Sequence, residues 1–358
     1  MLHGGAEAYP AMLDEIAAAR RTIALASYIF RPDRVGMDFV EALSDAHRRG
    51  VEIRVLVDGI GSGYFSCPVI RHLKRADIPA RRFMHDWRPW RMSFLNLRNH
   101  KKLMIIDGAR AFTGGLNLGM ENLWPGSNNR QVNDVHFFLA GPVVSQLMSS
   151  FAEDWHFTTG EALNDADWWP VIEPAGQAAA RGISSGPDED IGKIEIILAA
   201  AIGQAQHRLR IVTPYFLPDE RLRLAIGLAA LRGVAIDLVI PEKSDHLLIT
   251  WAVRSHLSFF PLERIRCYMS SGPFDHSKLV TVDGRWCAVG SANWDVRSLR
   301  LNFEFLLECY HQQTVGQIDG LIDDKISKAT LLEPDALAAR SLSIKLRDAS
   351  ARLLLPYL

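Results

Sequence analysis

The spacing of apolar residues predicts a strand followed by a helix at two places in the chain. Residues 23–30 and 209–216 are largely apolar runs, as expected for buried strands. After each run, apolar residues recur every three or four positions, which places them on one face of a helix. On the first predicted helix these residues are Phe39, Val40, Leu43 and Ala46, and on the second they are Leu224, Leu228 and Leu231.

Both predicted helices end in the same way. Arg-Gly stands at 49–50 and again at 232–233, and an apolar run follows at 51–57 and at 234–240. A glycine directly after the last helical residue is a common helix stop. The strand–helix–strand order predicts an α/β protein with a parallel or mixed sheet flanked by helices.

The duplication also predicts the domain organisation. We expect one half at residues 1–165 and a second half at 191–358. Between them lies a linker at 166–190, which is rich in small and acidic residues.

The composition is that of a globular protein, and the charge and the apolar runs bear on which partners it can have. Of 358 residues, 48% are hydrophobic, and 40 basic residues balance 41 acidic ones to a formal net charge of -1. This balance disfavours a nucleic-acid partner held by overall charge. No apolar run approaches the roughly 18 residues of a membrane span, and no signal peptide is recognisable. The four cysteines have no metal-site spacing and are expected to be reduced thiols: Cys67, Cys267, Cys287 and Cys309.

The candidate chemistry is a motif, H-x-K-x4-D, which occurs once in each half. One copy would be a weak signal, but two copies at the same place in a repeat are a strong one. An asparagine follows each histidine by 17 residues, at the end of a small-residue turn. The residues are His100, Lys102, Asp107 and Asn117 in the first half, and His276, Lys278, Asp283 and Asn293 in the second.

These residue types suit the chemistry of a phosphate ester. Histidine and lysine two positions apart on a strand point to the same side, whereas Asp-Gly predicts a hairpin turn beyond them. Lysine and asparagine side chains can bind phosphate oxygens. One histidine can attack phosphorus while the other transfers protons. Asp134 and Glu304, at corresponding later positions, are candidate acceptors for the far nitrogens of the histidines.

With these motifs the chain resembles the phospholipase D superfamily, whose members carry paired HKD motifs. It is most similar to the bacterial cardiolipin synthases of the phospholipase D type, through segments such as Val-Asp-Gly-Ile-Gly-Ser at 57–62 and Thr-Pro-Tyr-Phe at 213–216. The resemblance implies two similar α/β/α sandwich halves packed as a pseudo-dimer around one active site. It also implies a phosphohistidine intermediate and no metal or other cofactor.

The resemblance further implies individual roles. His100 would be the nucleophile and His276 the general acid and base. Glu304 would orient His100, and Asp134 would orient His276. The motif aspartates, Asp107 and Asp283, would be structural, which agrees with their place in predicted turns.

Residues 81–102 combine basic and aromatic side chains immediately before the first motif. Trp87, Arg88, Trp90 and Arg91 are candidate contacts to a membrane surface. Ordinary packing of a loop remains open, as does stacking on single-stranded nucleic acid. The longest cardiolipin synthases carry N-terminal membrane helices, whereas this chain begins almost at its first strand. Either the protein belongs to a shorter branch, which we favour, or its true start lies upstream. We expect a protein that is cytoplasmic and peripheral to the bacterial inner membrane.

Four functions are compatible with the motifs. The first is a phosphatidyltransferase that makes cardiolipin and glycerol from phosphatidylglycerol, and it is favoured by the resemblance. A phospholipase D-type hydrolase would use the same residues. A nuclease is disfavoured by the neutral charge and by two motifs in one chain. A non-catalytic phosphate-binding module is disfavoured because both motifs are intact. The oligomeric state stays open.

Overall fold

The computed structural model describes residues 1–85, 97–123 and 131–353. The chain divides into two compact units. The first comprises Met1–Gln177, Arg181–Ser184 and Asn302–Phe305, and the second comprises Ala178–Ala180, Ser185–Leu301 and Leu306–Leu358. Each unit contains one copy of the H-x-K-x4-D motif.

Among its described residues, the first unit contains strands β1–β9, helices α1–α4 and a short 3-10 helix. The strands are β1 Leu2–His3, β2 Thr22–Ser27, β3 Glu52–Asp58, β4 Ala80–Phe83, β5 Arg98–Asn99, β6 Leu103–Ile106, β7 Arg110–Gly114, β8 Val132–Asn133 and β9 Val135–Ala140. The helices are α1 Gly4–Ala18, α2 Arg34–Arg48, α3 Pro68–Arg75 and α4 Val144–Thr159, and the 3-10 helix is Met120–Asn122.

The first unit is a three-layer α/β/α sandwich around a mixed sheet. The strand order is β1-β9-β7-β6-β2-β3-β4, with β2, β3 and β4 parallel and the other neighbours antiparallel. Ile23 and Leu25 of β2 pack with α1, α2 and α3, whereas Ala24 and Ala26 pack with α4. Alternate residues of one strand therefore fill two separate cores.

The second unit repeats this series of elements. Strand β10, Ala180–Ser185, comes first in this half of the chain, but its residues Arg181–Ser184 count with the first unit. The strands that follow are β11 Arg208–Val212, β12 Phe216–Leu217, β13 Ala235–Pro241, β14 Ile265–Ser270, β15 Phe274–Asp275, β16 Leu279–Val282, β17 Trp286–Gly290, β18 Trp294–Asp295, β19 Asn302–Cys309 and β20 Ala329–Leu331. Its helices are α5 Lys193–Gln204, α6 Glu220–Leu231, α7 Leu247–Leu257, α8 Val296–Arg300, α9 Gln312–Ser327, α10 Pro334–Ala338 and α11 Leu342–Leu353.

The second sheet has the same topology as the first. The order β19-β17-β16-β11-β13-β14 corresponds to β9-β7-β6-β2-β3-β4, with β11, β13 and β14 parallel. Strand β19 belongs to both units, because Asn302–Phe305 count with the first unit and 306–309 with the second. The predicted α/β class with mixed sheets and two repeated halves is confirmed.

Equivalent residues cap the repeated helices α2 and α6. The Asp33 side chain accepts a hydrogen bond from the Gly36 amide, and the Asp219 side chain accepts from two amides in the first turn of α6. Gly50 and Gly233 follow the last turns with φ of 91° and 89°. A left-handed backbone at this position favours glycine, so the predicted helix stops are confirmed.

One predicted helix face lies on the opposite side of its helix from the core. Leu224, Leu228 and Leu231 of α6 share a face, but that face is exposed. The buried residues of α6 are instead Leu222, Ile226, Ala229 and Ala230. Since α6 is apolar on most of its circumference, its spacing fits two faces equally well and does not identify the core face.

The motif aspartates hold equivalent turns at the ends of β6 and β16. Asp107 and Asp283 have φ of 51° and 53°, a left-handed conformation that aspartate tolerates. Asp107 Oδ1 accepts from the amides of Arg21 and Thr22 at 2.7 and 3.1 Å. Asp283 accepts from the amides that open β11, including Arg208 at 2.7 Å. Each side chain therefore ties its hairpin to the first strand of the repeat.

Removing the charge of Asp283 should weaken the fold more at neutral pH than in acid. Burial raises the pKa of this carboxyl. Three backbone amides that donate to it lower the pKa by more than burial raises it, so the pKa lies below the ordinary 3.8. A carboxyl with a lowered folded-state pKa stabilises the protein above its ordinary pKa, and this contribution is lost as pH falls through the folded-state pKa. We expect Asp283→Asn to lower the unfolding free energy by about 1–2 kcal/mol at pH 7 and by less at pH 3.

Urea denaturation at the two pH values measures this difference. Asp324→Asn is a suitable control, because Asp324 makes a largely exposed i,i+4 pair with Lys328 at 2.7 Å. That variant should change stability by no more than about 0.5 kcal/mol. A loss for Asp283→Asn that is equal at both pH values would contradict the assignment.

Candidate active site

In the first unit the candidate site is built around the imidazole of His100, which is paired with a buried carboxylate. His100 follows the short strand β5, and its amide donates to the carbonyl of Phe303 at 2.9 Å. Its Nδ1 lies 3.0 Å from Oε2 of Glu304, a residue with 0% exposure. Because a carboxylate only accepts, Nδ1 carries a proton, and in a neutral imidazole the lone pair is then on Nε2.

A second group fixes Glu304 from the other side. Asn302 Nδ2 donates to Oε1 of Glu304 at 3.1 Å. Both oxygens of the carboxylate are therefore hydrogen-bonded, one to the histidine and one to an amide. A side chain held at both oxygens can determine the orientation of the imidazole.

Lys102 and Tyr28 border the His100 imidazole. The Lys102 ammonium donates to the backbone oxygen of His100 at 2.6 Å and lies 5.3 Å from the centre of the Tyr28 ring. The Tyr28 ring meets the His100 imidazole edge to face, with centroids 4.8 Å apart.

Asp58 supports the same turn and was not among the predicted site residues. It is buried at the end of β3, and its Oδ2 accepts from the amide of Asn99 at 2.8 Å. Its Oδ1 accepts from Ile60 and Gly61 at 2.9 and 2.7 Å. Burial raises the pKa of this carboxyl, although these amides oppose the shift. The signal was present in the sequence, since Asp58 begins the glycine-rich segment used for the resemblance.

Asp134 lies against the glycine turn that ends β7. Its carboxylate packs directly over Gly115, where an added Cβ would be 2.2 Å from Oδ2. Its Oδ1 also accepts from the amide of Val135 at 2.7 Å. Two residues on, His136 is fully buried, and burial lowers the pKa of its imidazole to about 4. Histidine 136 is therefore neutral over the physiological range.

The two predicted asparagines have different surroundings. Asn117 Oδ1 accepts from the amide of Ile29 at 3.3 Å, and its carbonyl accepts from the Tyr9 hydroxyl at 2.7 Å. Asn293 is buried, and its backbone amide donates to Ser298 Oγ at 2.8 Å. Within the described part of the chain, Oδ1 of Asn293 has no hydrogen-bond partner. These contacts leave the predicted phosphate-binding roles of both asparagines as predictions.

In the second unit, His276 stands between β15 and β16 and is half-buried. Lys278 donates its ammonium to the backbone oxygen of His276, as Lys102 does to that of His100. The Phe274 ring lies 6.0 Å from the imidazole. The two motifs therefore fold into turns with the same lysine-to-carbonyl contact.

The structure places the predicted residues in two groups. His100, Lys102, Asn117, Asp134 and Glu304 belong to the first unit, although Glu304 comes from the second half of the sequence. The group in the second unit is His276, Lys278 and Asn293. Trp87, Arg88, Trp90 and Arg91 lie outside the described residues.

The described residues contain neither a candidate metal site nor a candidate membrane-spanning helix. No group of three or more His, Cys, Asp or Glu residues in 1–85, 97–123 and 131–353 has an arrangement that could hold a metal ion. Across the same ranges, no helix combines the length and apolarity needed to cross a bilayer.

The duplicated α/β/α fold with an HKD motif in each unit defines a phospholipase D-like protein. A family model described as cardiolipin synthase, PLD-like domain, matches residues 12–155 and 198–325. The chain belongs to this family. The predicted resemblance is confirmed, and with it the predicted enzyme class, a phospholipase D-type phosphatidyltransferase.

Individual relatives agree with the family match. A cardiolipin synthase of Oceanobacillus iheyensis is 33% identical over 99% of this chain and 74% of its own length. A cardiolipin synthase of Geobacillus kaustophilus is 31% identical over 100% of this chain and 72% of its own length. Both alignments therefore extend through the two motifs.

Solved structures share the fold. The phosphatidylserine synthase of Haemophilus influenzae Rd KW20 has a TM-score of 0.76 at 15% identity, over 100% of this chain and 94% of that chain. A polyphosphate kinase of Porphyromonas gingivalis has a TM-score of 0.62 at 13% identity, over 90% of this chain and 49% of that chain. These likenesses concern the fold alone.

The close packing of Asp134 on Gly115 provides a test of this carboxylate. Gly115→Ala places a methyl group where the Asp134 carboxylate now lies, so the carboxylate has to move. If Asp134 serves the reaction, phosphatidyl transfer should fall by about tenfold to a hundredfold, because small displacements of working groups have costs of this size. The assay is the initial rate of phospholipid conversion, with circular dichroism as the check of folding.

Gly227→Ala is the matched control. Gly227 lies within α6, and a Cβ added there meets nothing within 4 Å. That variant should keep its full rate and gain up to about 1 kcal/mol of stability. A Gly115→Ala protein with the wild-type rate would show that the position of the Asp134 carboxylate does not matter.

Proposed function

We propose that this protein transfers a phosphatidyl group from one phosphatidylglycerol to another, which gives cardiolipin and free glycerol. The observation that carries the proposal is the buried His100–Glu304 pair, in which Nδ1 is committed to a carboxylate at 3.0 Å. An imidazole in this state presents Nε2 as a nucleophile. The family membership and the names of the relatives support the lipid substrate.

In the first step, His100 Nε2 attacks the phosphorus of the donor phosphatidylglycerol. A bond from nitrogen to phosphorus forms, and the bond from phosphorus to the oxygen of the headgroup glycerol breaks. His276, protonated, gives its proton to the departing glycerol oxygen. The products of this step are glycerol and a phosphatidyl group on His100.

In the second step, the acceptor is a headgroup hydroxyl of another phosphatidylglycerol. His276, now neutral, removes the proton of this hydroxyl while its oxygen attacks phosphorus. The bond from phosphorus to nitrogen breaks, which restores His100 and forms cardiolipin. His276 ends protonated again, so the cycle balances in protons. One phosphodiester is exchanged for another, and no nucleotide is needed.

The remaining motif residues have electrostatic roles in this proposal. Lys102 and Lys278 would stabilise the negative oxygens on phosphorus as charge develops in each transition state. Asn117 and Asn293 would orient those oxygens through their side-chain amides. Asp134 would act on His276 as Glu304 acts on His100. Asp107 and Asp283 stay outside the chemistry and hold their turns.

Mass spectrometry of lipids tests the reaction directly. Purified protein is mixed with phosphatidylglycerol vesicles in excess EDTA, with His100→Ala and His276→Ala alongside. We expect cardiolipin and glycerol in equal amounts from the wild type. Each variant should lose at least about 10,000-fold in rate, because removal of one member of a catalytic set can remove most of the catalysis.

Other products would give a different assignment. Phosphatidic acid in place of cardiolipin would make the protein a hydrolase that uses the same residues. Either variant at a near wild-type rate would contradict the two-histidine mechanism. An activity lost in EDTA and restored by a divalent cation would contradict its metal-free form. Cleavage of nucleic acid without lipid turnover would favour a nuclease.

We also propose that the protein works as a peripheral enzyme at the cytoplasmic surface of a bacterial inner membrane, since both substrates are lipids. The basic and aromatic residues around Trp87 and Trp90 are the candidate contact. Trp87→Ala/Trp90→Ala should weaken binding to anionic vesicles by more than tenfold, as tryptophan and basic side chains favour the headgroup layer. Vesicle sedimentation measures the binding.

A soluble phosphodiester is the control substrate for this variant. If the two tryptophans act only in membrane contact, hydrolysis of a short-chain, water-soluble phosphodiester should stay within about twofold of wild type, because its transition state contacts neither side chain. Equal losses in vesicle binding and in the soluble assay would count against a membrane role.

A further inference from the structure

The two motif histidines sit in the same kind of turn. Asn99 precedes His100, and its Oδ1 accepts from the amide of Lys101 at 3.1 Å. Asp275 precedes His276, and its Oδ1 accepts from the amide of Ser277 at 3.1 Å. A side-chain oxygen that accepts from the amide two residues on forms an Asx turn. Each histidine is thus the middle residue of an Asx turn.

In the first unit, one carboxylate of helix α4 holds this turn. Asp154 accepts from the Asn99 side-chain amide at 2.8 Å through Oδ2, and from the Lys101 ammonium at 3.0 Å through Oδ1. The Lys101 and Asp154 side chains are only 2% and 5% exposed. The residues on both sides of His100 are therefore tied to one group on a neighbouring helix.

In the second unit, one ammonium group of helix α9 does the same. Lys325 donates to Asp275 Oδ2 at 2.6 Å and to Ser277 Oγ at 3.3 Å. The side chains of Lys325 and Asp275 are 13% and 7% exposed. The residues on both sides of His276 are again tied to one group, but the charges are reversed. Here the turn carries the carboxylate and the helix carries the ammonium.

This reversal shows which property the two units share. Helix α4 follows β9 and helix α9 follows β19, so the two anchors occupy equivalent places in the repeat. The two units have different residues at the charged positions of these contacts, yet each unit forms a buried ion pair between the turn and the helix. A buried ion pair is commonly no more stabilising than apolar residues of the same volume. What it supplies is a defined geometry for the groups that it joins.

We propose that Asp154 and Lys325 are positioning residues, which fix the Asx turns of His100 and His276 through buried ion pairs of opposite polarity. Neither side chain touches a reacting atom. Each acts through the backbone of the turn, and so sets where the imidazole stands. The inference rests on the proposed function, because it takes the two histidines as the reacting groups.

The second unit allows the sharper test, because Lys325 is partly exposed. In Lys325→Met the ammonium is lost, whereas the bonds of Asp275 to the Ser277 amide and hydroxyl are kept. We expect kcat to fall by about a hundredfold while KM stays within about threefold of wild type, as for a misplaced reacting group. Lys325→Arg keeps the charge and should restore the rate to within about tenfold of wild type.

The pH dependence of Lys325→Met reports whether the Lys325–Asp275 pair acts on the His276 imidazole at all. The uncompensated Asp275 carboxylate, one residue from His276, favours the protonated imidazole. His276 works as an acid in the first step, so the alkaline limb of the pH–rate profile should move to higher pH. Loss of a structural contact alone would lower the rate at every pH without moving this limb.

The first unit is tested by replacing both members of its buried pair. Lys101→Met/Asp154→Leu removes both charges of this pair and should fold. Its kcat should fall by about a hundredfold at nearly constant KM. The matched control is Arg340→Met/Asp348→Leu, which removes a pair of similar burial at 2.5 Å in another part of the second unit. That control should keep its rate within about threefold of wild type, because it touches neither turn.

A measurement without lipid keeps this inference separate from the proposed function. Diethylpyrocarbonate modifies neutral imidazoles, and peptide mapping follows His276 itself. Its modification at pH 7 should be at least about threefold slower in Lys325→Met than in wild type, since more of the imidazole is protonated. Lys325→Arg and the Arg340/Asp348 control should match wild type. This result would support the positioning role even if no cardiolipin is formed.

Three outcomes would overturn the inference. The first is a Lys325→Met protein with wild-type kcat and wild-type modification of His276. The second is a loss of rate that Lys325→Arg does not relieve and that leaves the pH profile unmoved. The third is failure of Lys325→Met and Lys101→Met/Asp154→Leu to fold while the Arg340/Asp348 control folds. Each would reduce the two pairs to structural contacts.

Discussion

The contact between His100 and Glu304 is the interaction on which the candidate site depends. Both groups are buried, and burial without a partner would cost each of them several kcal/mol. Their 3.0 Å contact offsets that cost and selects the tautomer that is protonated on Nδ1. It also requires two distant parts of the chain to meet, β5 and the start of β19, where Asn302 holds the far oxygen of Glu304.

Sequence reasoning worked where the determining contacts are local. The Asp-Gly turns at 107 and 283 and the glycine helix stops follow from the dihedral preferences of these residues. Such features need only a few neighbouring residues. Because the chain is duplicated, each of these features is predicted twice, once in each half.

Contacts between distant residues were not accessible in this way. Nothing in the spacing of Asp154 or Lys325 indicates that they meet the residues beside a histidine, because each comes roughly fifty residues later on a different element. The core face of α6 could not be predicted for another reason, because a helix that is apolar on most sides has no unique apolar face. Resemblance to a family supplied Glu304 as the partner of His100, which periodicity could not have done.

Strand β19 contributes residues to both units, so the two sequence repeats and the two compact units do not have the same boundaries. The repeat in the sequence suggests that the protein could be separated near residue 178 into two self-sufficient pieces. Residues Asn302–Phe305, however, count with the first unit, and they include the carboxylate that His100 requires. A fragment that ends at the link would retain the whole first motif and lack its partner. The unit of inheritance, the repeat, and the unit of chemistry, the histidine with its carboxylate, therefore have different boundaries in this chain.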